Sequence, residues 1–441
     1  MFCPRSDAAV WTVDVAGGDF VTIQEAIDGS VPGDQILVAP NTYVENLLIE
    51  IDLDIVGTGG SGVTFVVNAG SGDTVKIDGA VATLAGLTFD GDQIQRPVHI
   101  LNADVQLVDV SVQHGHSFDL QAGVGLRAQD SVVVVQNSLF TSTQTGEMLG
   151  GGQIAVVNSI FSGFGLDVAN GDAALGGGLF AVEGSTVDIS GSSFVDNSAG
   201  EGGAVFADSI SLLQIEASTF SNNTASARGG AVRAVAIPDV QVTNSTFVDN
   251  TSIIDGGHIS AFGSSLTVFE SVFSRGSADL GGAVYAEGGG GELADFENSS
   301  FVENTSSDDG GAVFLMGIDD YRFIRDEFCL NSAFGPGADG GAVHMQDSGN
   351  GGVTRLISGC VFSGNHADDK GSVVNCTGSG EADVVNNTMV GNQTGADMGS
   401  VRIQADCAAA VANNIFAYNS EYGLMSEYGL PTVDYNLIYA N

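Results

Sequence analysis

The sequence predicts an all-β protein, a right-handed single-stranded parallel β-helix with a short N-terminal capping helix. Three observations predict this fold. Two short motifs alternate about every 27 residues, β-branched runs too short for helices lie between them, and glycine makes up 63 of the 441 residues while proline makes up only 7. A unit of this length cannot bury its own apolar face, so stacked units must complete one another.

The first motif is Gly-Gly-Ala-Val or a near variant of it. We expect its glycines to adopt backbone conformations that are closed to other residues, and its alanine to fit where the backbone runs close to the core. The copies begin at Gly202, Gly229, Gly256, Gly281, Gly310 and Gly340.

The second motif is Phe-x-x-Asn, which alternates with the first. Its phenylalanine recurs once per coil, so the rings should stack in one interior column and bury about 150 to 250 Å² each. Its asparagine should lie at a corner, bond to the backbone and tolerate a left-handed conformation. The copies begin at Phe194, Phe220, Phe247, Phe301, Phe328, Phe362 and Phe416, and Phe273 and Met389 fill the two gaps.

The N-terminal third of the chain has a different sequence pattern. An amphipathic helix is predicted within residues 19–28, followed by a strand, a turn and another strand up to Ile49. Such a helix would cover an otherwise open sheet edge and so protect it from aggregation. Its apolar face comprises Phe20, Ile23, Ala26 and Ile27, and Thr22 and Glu25 have the spacing of a capping box.

We expect one β-helix domain over residues 1–441. Residues 19–50 form the cap and the first strands, residues 51–175 form irregular coils, and residues 176–441 form the repeats, with an incomplete last coil. Because the sequence stops at Asn441 in mid-coil, we expect a fragment of a longer surface protein whose anchor lies beyond that residue. Residues 1–11 contain no apolar region typical of a signal peptide.

Two stretches resemble known families. Residues 20–49, with the string Gly-Asp-x-Ile-x-Val-x-Pro-x-x-Tyr-x-Glu, resemble the entry region of pectate-lyase-like β-helix proteins. The repeats from Gly176 to Asn419 are similar to those of the polymorphic outer-membrane protein family. The resemblance implies a right-handed β-helix that is secreted or displayed on a bacterial outer membrane, often for adhesion. The same scaffold carries lyases, hydrolases and esterases, so the fold alone does not assign the function.

The charge of the chain restricts its partners. Its 12 Lys and Arg against 54 Asp and Glu give a net charge of −42. Nucleic acid and anionic membrane surfaces are therefore excluded as partners, and a polyuronate would be repelled unless Ca²⁺ bridged the carboxylates. A neutral glycan is easier to accommodate. No apolar run reaches membrane-spanning length, so we expect no membrane insertion by this segment.

No catalytic motif of the related enzymes can be read from the sequence. The acidic pairs Asp308-Asp309 and Asp319-Asp320 have no histidine or cation beside them in sequence. We therefore predict an exported cell-surface or adhesin-type scaffold that binds glycans or another surface protein, and assign no catalytic, cofactor-binding or metal residues. The alternative is a polysaccharide lyase or glycoside hydrolase, which desolvated acids clustered in one groove would favour.

Four histidines and two acidic corners were weighed as site residues. His258 replaces the alanine of one diglycine motif, His344 directly follows another, and His114 and His116 alternate along one segment. Corner histidines tolerated by the scaffold are the favoured interpretation of His258 and His344, a structural role is favoured for His114 and His116, and a metal or acid–base role is the alternative. The corners Asp308-Asp309 and Asp368-Asp369 are compatible with Ca²⁺, although solvated turn acids are the default.

The five cysteines are unevenly distributed. Four lie in the last third, and both 360 − 329 and 407 − 376 equal 31 residues, about one coil. Three pairings of the four are open, and buried free thiols are the competing explanation. Disulfides Cys329–Cys360 and Cys376–Cys407 would join adjacent coils, and the second is favoured because both of its cysteines follow a Gly-Ser-Val strand.

Overall fold

A computed structural model describes most of the chain. The described residues are 8–92, 96–114, 126–129, 131–141, 146–149, 153–157, 160–162, 175–182, 186–348, 355–379, 382–395, 399–404, 410–420, 422–427 and 431–441. The chain divides into two compact units. Unit 1 comprises Met1–Asp167 and Gly177–Asn197, and unit 2 comprises Val168–Gly176 and Ser198–Asn441.

The predicted helix of unit 1 follows the first strand. The helix spans Ile23–Gly29, the Thr22 hydroxyl accepts a hydrogen bond from the Glu25 amide, and three apolar side chains of the predicted face are buried. The Glu45 carboxylate accepts from the first two helical amides, both at 2.9 Å. Phe20 lies before the helix and forms a parallel bridge to Val13. The first strand, Val10–Val13, pairs with Asp34–Val38.

Three parallel sheets form the body of unit 1. Each coil contributes one strand to each sheet. The first contains Val10–Val13, Asp34–Val38, Leu53–Gly57, Val81–Ala85, Asp104–Val108, Val132–Gln136, Gln153–Val157 and Thr186–Ser190. The second contains Thr42–Val44, Phe65–Val67, Thr88–Asp90, Ser111–Gln113, Leu139–Thr141, Ile160–Ser162 and Ser193–Val195. The third contains Leu47–Ile49, Val75–Asp78, Val98–Leu101, Leu126–Gln129, Gly146–Leu149 and Leu179–Val182.

Unit 2 has four parallel sheets, named here I to IV. Sheet I contains Leu212–Glu216, Val240–Thr243, Leu266–Phe269, Leu293–Glu297, Asp320–Ile324, Arg355–Ser358, Asp383–Val385, Ala410–Ala412 and Thr432–Asp434. Sheet II contains Thr219–Ser221, Thr246–Val248, Val272–Ser274, Ser300–Val302, Glu327–Cys329, Val361–Ser363, Thr388–Val390, Ile415–Ala417 and Leu437–Tyr439. Sheet III contains Val205–Asp208, Val232–Val235, Ile259–Phe262, Val284–Glu287, Val313–Met316, Val343–Ser348, Val374–Ser379, Val401–Gln404 and Leu424–Glu427. Sheet IV contains Ser198–Glu201, Thr224–Arg228, Thr251–Ser252, Ser277–Ala278, Thr305–Ser306, Ser332–Ala333, His366–Ala367 and Gln393–Thr394.

The predicted phenylalanine column is confirmed in sheet II of unit 2. Six successive rings stack with centroids 4.7 to 5.0 Å apart and planes within 8° of one another. All six side chains are fully buried. The members are Phe220, Phe247, Phe273, Phe301, Phe328 and Phe362. Stacked rings at the strand repeat bury large apolar surfaces in one continuous core.

The asparagine of the second motif forms a ladder beside that column. The backbone amide and Nδ2 of Asn331 both donate to Oδ1 of Asn365 at 3.0 Å, and Nδ2 of Asn331 also donates to the carbonyl of Phe301 at 2.9 Å. The prediction of backbone bonding is confirmed, but the expected left-handed residue was wrong. The residue before the asparagine takes that conformation, as Leu330 does with φ 57°, because the asparagine must turn its amide inward.

The diglycines have the predicted conformations. Gly256 has φ +62°, and a Cβ on Gly257 would lie 2.1 Å from the carbonyl oxygen of Gly282 in the next coil. The first glycine therefore supplies a left-handed turn, and the second allows close approach of two backbones. The motif has the structural role that the sequence predicted.

The possible disulfide Cys329–Cys360 does not form, and the competing expectation of free thiols is confirmed for these two residues. Cys329 and Cys360 are free thiols. The coil that separates them is longer than the others, so Cys329 lies opposite Ser363 in sheet II, while Cys360 lies between sheets I and II and its thiol faces the carbonyl of Phe323 at 3.4 Å. Cys376 is not among the free thiols. Cys407 lies outside the described residues, so the bridge between these two stays a prediction.

Candidate functional site

The candidate site lies on the face of sheet III that points away from the core. Strand residues alternate between the two faces, so every second residue of sheet III joins a row that runs from coil to coil. All of these side chains except the last are buried. In register, the row is Phe206, Arg233, Ser260, Tyr285, Phe314, His344, Asn375, Arg402 and Met425.

A second row runs beside the first. Its members are the residues immediately before each diglycine, and the backbone carbonyl of each accepts a hydrogen bond from the glycine of the preceding coil, at 2.9 to 3.0 Å. The glycine that follows each of these residues has a left-handed backbone conformation and reverses the chain. The side chain of the residue before that glycine can then reach the outward row of sheet III. This pre-glycine row contains Arg228, Asp255, Leu280, Asp309, Asp339 and Lys370.

Two aspartates of the pre-glycine row meet a histidine of sheet III. Asp309, Asp339 and His344 each offer one ligand atom, and these atoms lie within 4.8 Å of one another. Nδ1 of His344 lies 3.3 Å from Oδ2 of Asp309, and the amide of Asp339 donates to Oδ1 of Asp309 at 2.7 Å. The side chains are 21% exposed for Asp309, 13% for Asp339 and 5% for His344. We call these three residues the acid–histidine cluster.

Asn375 and Arg402 hold the Asp339 carboxylate from the next two coils. Oδ2 of Asp339 lies 3.2 Å from Nδ2 of Asn375 and 3.5 Å from a guanidinium nitrogen of Arg402. That guanidinium also donates to Oδ1 of Asn375 at 3.0 Å and pairs with Glu427 at 2.8 Å. The arginine is therefore shared between two carboxylates, and Oδ1 of Asp339 is buried without a hydrogen-bond partner.

Burial raises the pKa of Asp339 to about 6. The nearby charge of His344 acts against this rise, the negative charge of Asp309 adds to it, and Lys370 and Arg402 again oppose it. Desolvation disfavours the charged form of a carboxyl group, and here it outweighs the neighbouring cations. Asp339 can thus carry a proton close to neutral pH and still release it.

The cluster can perform acid–base chemistry. A carboxyl group with a pKa near the working pH is an effective general acid, and a second carboxylate beside it can act on the opposite side of a scissile bond. Among the described residues, the same three side chains are the group that could hold a metal ion. The guanidinium of Arg402, 3.5 Å from Asp339, opposes a cation at that position.

A second group in the same rows is electrically balanced. Arg228 pairs with Asp255 at 2.9 Å and with Glu201 at 3.3 Å, and Arg233 pairs with Glu201 at 3.4 Å. The Asp255 carboxylate also accepts from the hydroxyl of Ser260. Two cations and two carboxylates satisfy one another, so this group fixes the local structure rather than offering a free charge.

His258 lies in the interior, and not at a corner as the sequence had suggested. It is fully buried and stands in the asparagine ladder at the coil where Gly276 replaces the asparagine. Nδ2 of Asn250 donates to its Nδ1 at 2.9 Å, and its Nε2 donates to Oδ1 of Asn304 at 3.2 Å. Burial lowers the pKa of His258 to about 3, so the ring is neutral and bridges the gap.

The other predicted candidates are dispersed. Nδ1 of His114 lies 2.9 Å from Asp90, and His116 lies outside the described residues. Asp319 accepts from the amide of Gly291 at 2.7 Å, as a turn acid does. In the remaining acidic corner, Asp368 accepts from the amide of Gly335 and pairs with His366, while Asp369 pairs with Lys370.

Sequence reasoning missed three members of the site. It treated Asp308-Asp309 as lacking a histidine and a cation, whereas the fold brings His344 and Arg402 from later coils to Asp309 and its neighbour Asp339. Asp339 and Asn375 were not singled out. Their positions carried a signal, because a residue just before a diglycine, and the second residue of the strand after it, recur at one place in every coil.

One family model matches part of the sequence. Residues 98–306 match the family described as a right handed beta helix region. The fold is a right-handed parallel β-helix. No curated protein sequence matches this β-helix. None of the described helices is long and apolar enough to cross a membrane.

Three solved structures resemble this β-helix at low identity. The periplasmic alginate epimerase AlgG is 11% identical with a TM-score of 0.41, covering 95% of this chain and 83% of that one. The catalytic domain of GH87 alpha-1,3-glucanase in complex with nigerose is 12% identical with a TM-score of 0.39, covering 86% and 68%. Pectin methylesterase PemA from Erwinia chrysanthemi is 13% identical with a TM-score of 0.30, covering 56% and 80%. At these values the likeness concerns the fold alone.

Proposed function

We propose that this protein is a carbohydrate-active enzyme that hydrolyses a polysaccharide at the acid–histidine cluster. One observation carries the proposal: the Asp339 carboxyl is largely buried, its pKa is raised to about 6, and it lies beside Asp309 and His344 while remaining partly open to solvent. Perturbed carboxyl groups that converge in one place are typical of active sites.

In this proposal Asp339 is the general acid. It gives its proton to the glycosidic oxygen as the bond to the anomeric carbon breaks, and Asn375 and Arg402 hold its carboxyl group in place. Asp309 attacks the anomeric carbon and forms a covalent intermediate that water then opens, because its ligand atom lies within 4.8 Å of that of Asp339 and leaves no room for an attacking water. His344 orients the Asp309 carboxylate.

The variation along sheet III favours an enzyme over the predicted adhesin-type scaffold. A stalk should present the same surface in every coil. The core positions do repeat, since phenylalanine follows phenylalanine in sheet II. The outward row of sheet III does not, since Tyr285, Phe314, His344, Asn375 and Arg402 follow one another in register. Aromatic, basic and amide side chains brought together along one row are expected where one substrate must be positioned.

The proposal is tested by the release of reducing ends from a panel of polysaccharides. We expect Asp339→Asn to lower kcat by about 10² to 10⁴, the usual contribution of a positioned acid, and Asp309→Asn to lower it as strongly. Glu216→Gln, which removes an exposed carboxylate on sheet I, should leave kcat unchanged. Activity should also fall as the pH rises through about 6. An active wild type whose rate is unaffected by Asp339→Asn would overturn the proposal.

The place of action is part of the same proposal. A polysaccharide substrate and the predicted disulfide Cys376–Cys407 both suit a protein exported from a bacterial cell. Surface display and a single domain over residues 1–441 remain predictions. Fractionation of the source cells with an antibody to this chain would test the surface display.

A further inference from the structure

We infer that the ligand is an uncharged glycan and that polyuronates and sulfated chains are excluded. The inference rests on the proposed function, because it names the substrate class of the same site. It follows from the positions of the cations in unit 2 and from what each of them already binds.

Every lysine and arginine after residue 197 already has a partner in the fold. The sequence from 198 to 441 contains eight such residues, and seven of them form ion pairs with aspartate or glutamate. The eighth, Arg355, is buried, donates to the carbonyl of Asp319 at 3.0 Å and lies 5.9 Å from the ring centre of Tyr321. The seven are Arg228, Arg233, Arg275, Arg322, Arg325, Lys370 and Arg402.

The two cations nearest the cluster cannot bind an anionic substrate without breaking ion pairs within the protein. Arg402 is almost fully buried and shared between Asp339 and Glu427. Lys370 pairs with Asp369 at 3.2 Å. A carboxylate or sulfate group of a substrate that captured Arg402 would leave Asp339 or Glu427 unpaired, and breaking a buried ion pair is strongly destabilising. Lys370 and Asp369 are part-exposed, so that pair opposes an anionic substrate only weakly.

The surroundings of the cluster are acidic as well. Asp308 is exposed beside Asp309, and the negative charges of Asp309 and Asp279 add to the burial that raises its pKa. Each uronate of an approaching chain would therefore meet carboxylates and no free cation, and the net charge of −42 repels it from farther away. Sugar hydroxyls, in contrast, donate hydrogen bonds that carboxylate oxygens readily accept.

The experiment compares pairs of polymers that share a backbone and differ in charge. The pairs are fully methyl-esterified homogalacturonan and its de-esterified form, hydroxyethylcellulose and carboxymethylcellulose, and a β-1,3-glucan and its carboxymethyl derivative. Binding is measured as retardation of the protein in affinity gels, and cleavage is measured as release of reducing ends. Both are measured at about 10 mM salt with EDTA and again with Ca²⁺. We expect retardation by at least one neutral member, with at least 10-fold weaker binding of its anionic partner.

The outcomes separate this inference from the proposed function. Binding of a neutral polymer without cleavage would support the ligand class and overturn the hydrolase. Equal or stronger binding or cleavage of the anionic partner, with or without Ca²⁺, would overturn the inference and leave the hydrolase standing. Retention of no polymer at all would count against both. Since the Debye length falls to about 3 Å near 1 M salt, added NaCl should also narrow the difference within a pair.

Discussion

Replacing Asp326 by asparagine should stabilise the protein at alkaline pH. Asp326 occupies a ladder at the corner between sheets I and II, and Oδ1 accepts from the amide of Ser299 at 2.7 Å. Its Oδ2 is buried without a partner. Two coils later Asn387 holds the equivalent position, and its Nδ2 donates to the carbonyl of Ile357 at 2.9 Å. An asparagine at 326 can make the same bond.

The magnitude follows from the pKa of Asp326. Burial raises it from 3.8 to about 7, and the negative charges of Asp295 and Glu297 add to the rise. The folded protein therefore keeps this proton up to about pH 7, whereas the unfolded chain loses it near pH 4. Stability of the wild type falls between these pH values and is level above them. Three pKa units at about 1.4 kcal/mol each correspond to about 4 kcal/mol at pH 8.

The assay is thermal unfolding by circular dichroism from pH 4 to pH 9 at constant high salt. The midpoints of the wild type and Asp326→Asn should be similar at pH 4, and the variant should be the more stable at pH 8. Glu327→Gln removes an exposed carboxylate next in sequence and should follow the wild-type curve. Parallel curves for the wild type and Asp326→Asn across this range would refute the reasoning, as would a variant that is less stable at pH 8.

Three further predictions concern the core. Phe301→Ala should destabilise unit 2 by roughly 3 to 5 kcal/mol, because it leaves a cavity in the stacked column; a loss below 1 kcal/mol in denaturant unfolding would contradict the column. His258→Ala should cost roughly 1 to 3 kcal/mol by leaving buried amides unpaired, and a variant as stable as the wild type in denaturant unfolding would contradict the bridging role. In the unfolded, unreduced protein, peptide mapping should find Cys360 alkylated and Cys376 alkylated only after reduction; labelling of both without reductant would contradict the predicted bridge.

The core was predictable because each coil repeats the same packing requirement. Phe301 and Phe328 are separated by one coil in sequence and by one strand spacing in space. A left-handed Gly256 and a closely packed Gly257 likewise recur wherever the chain turns into sheet III. Periodicity in the sequence is then a direct record of contacts in space.

The site was not predictable in the same way, because its residues share no periodic identity. Asp309, Asp339, His344 and Arg402 come from three different coils and belong to three residue types. Their proximity depends on which turns absorb the extra residues of the longer coils. The chain around Gly335 makes one such excursion before Asp339, and an error of one residue in placing it would move the aspartate out of the cluster. The same extra residues explain why the sequence spacing of Cys329 and Cys360 suggested a pairing that the structure does not contain.

The imidazole of His258 has a consequence for how this molecule can change. Gly276 has space only for a hydrogen, since a Cβ there would lie 2.3 Å from the carbonyl oxygen of Gly282 and 2.6 Å from Nε2 of His258. The two residues are therefore sterically matched, and neither can be exchanged alone. A coil that contains one of them cannot be duplicated, deleted or transplanted as an independent module, however similar its neighbours look. Engineering of coil number should begin elsewhere in the repeats.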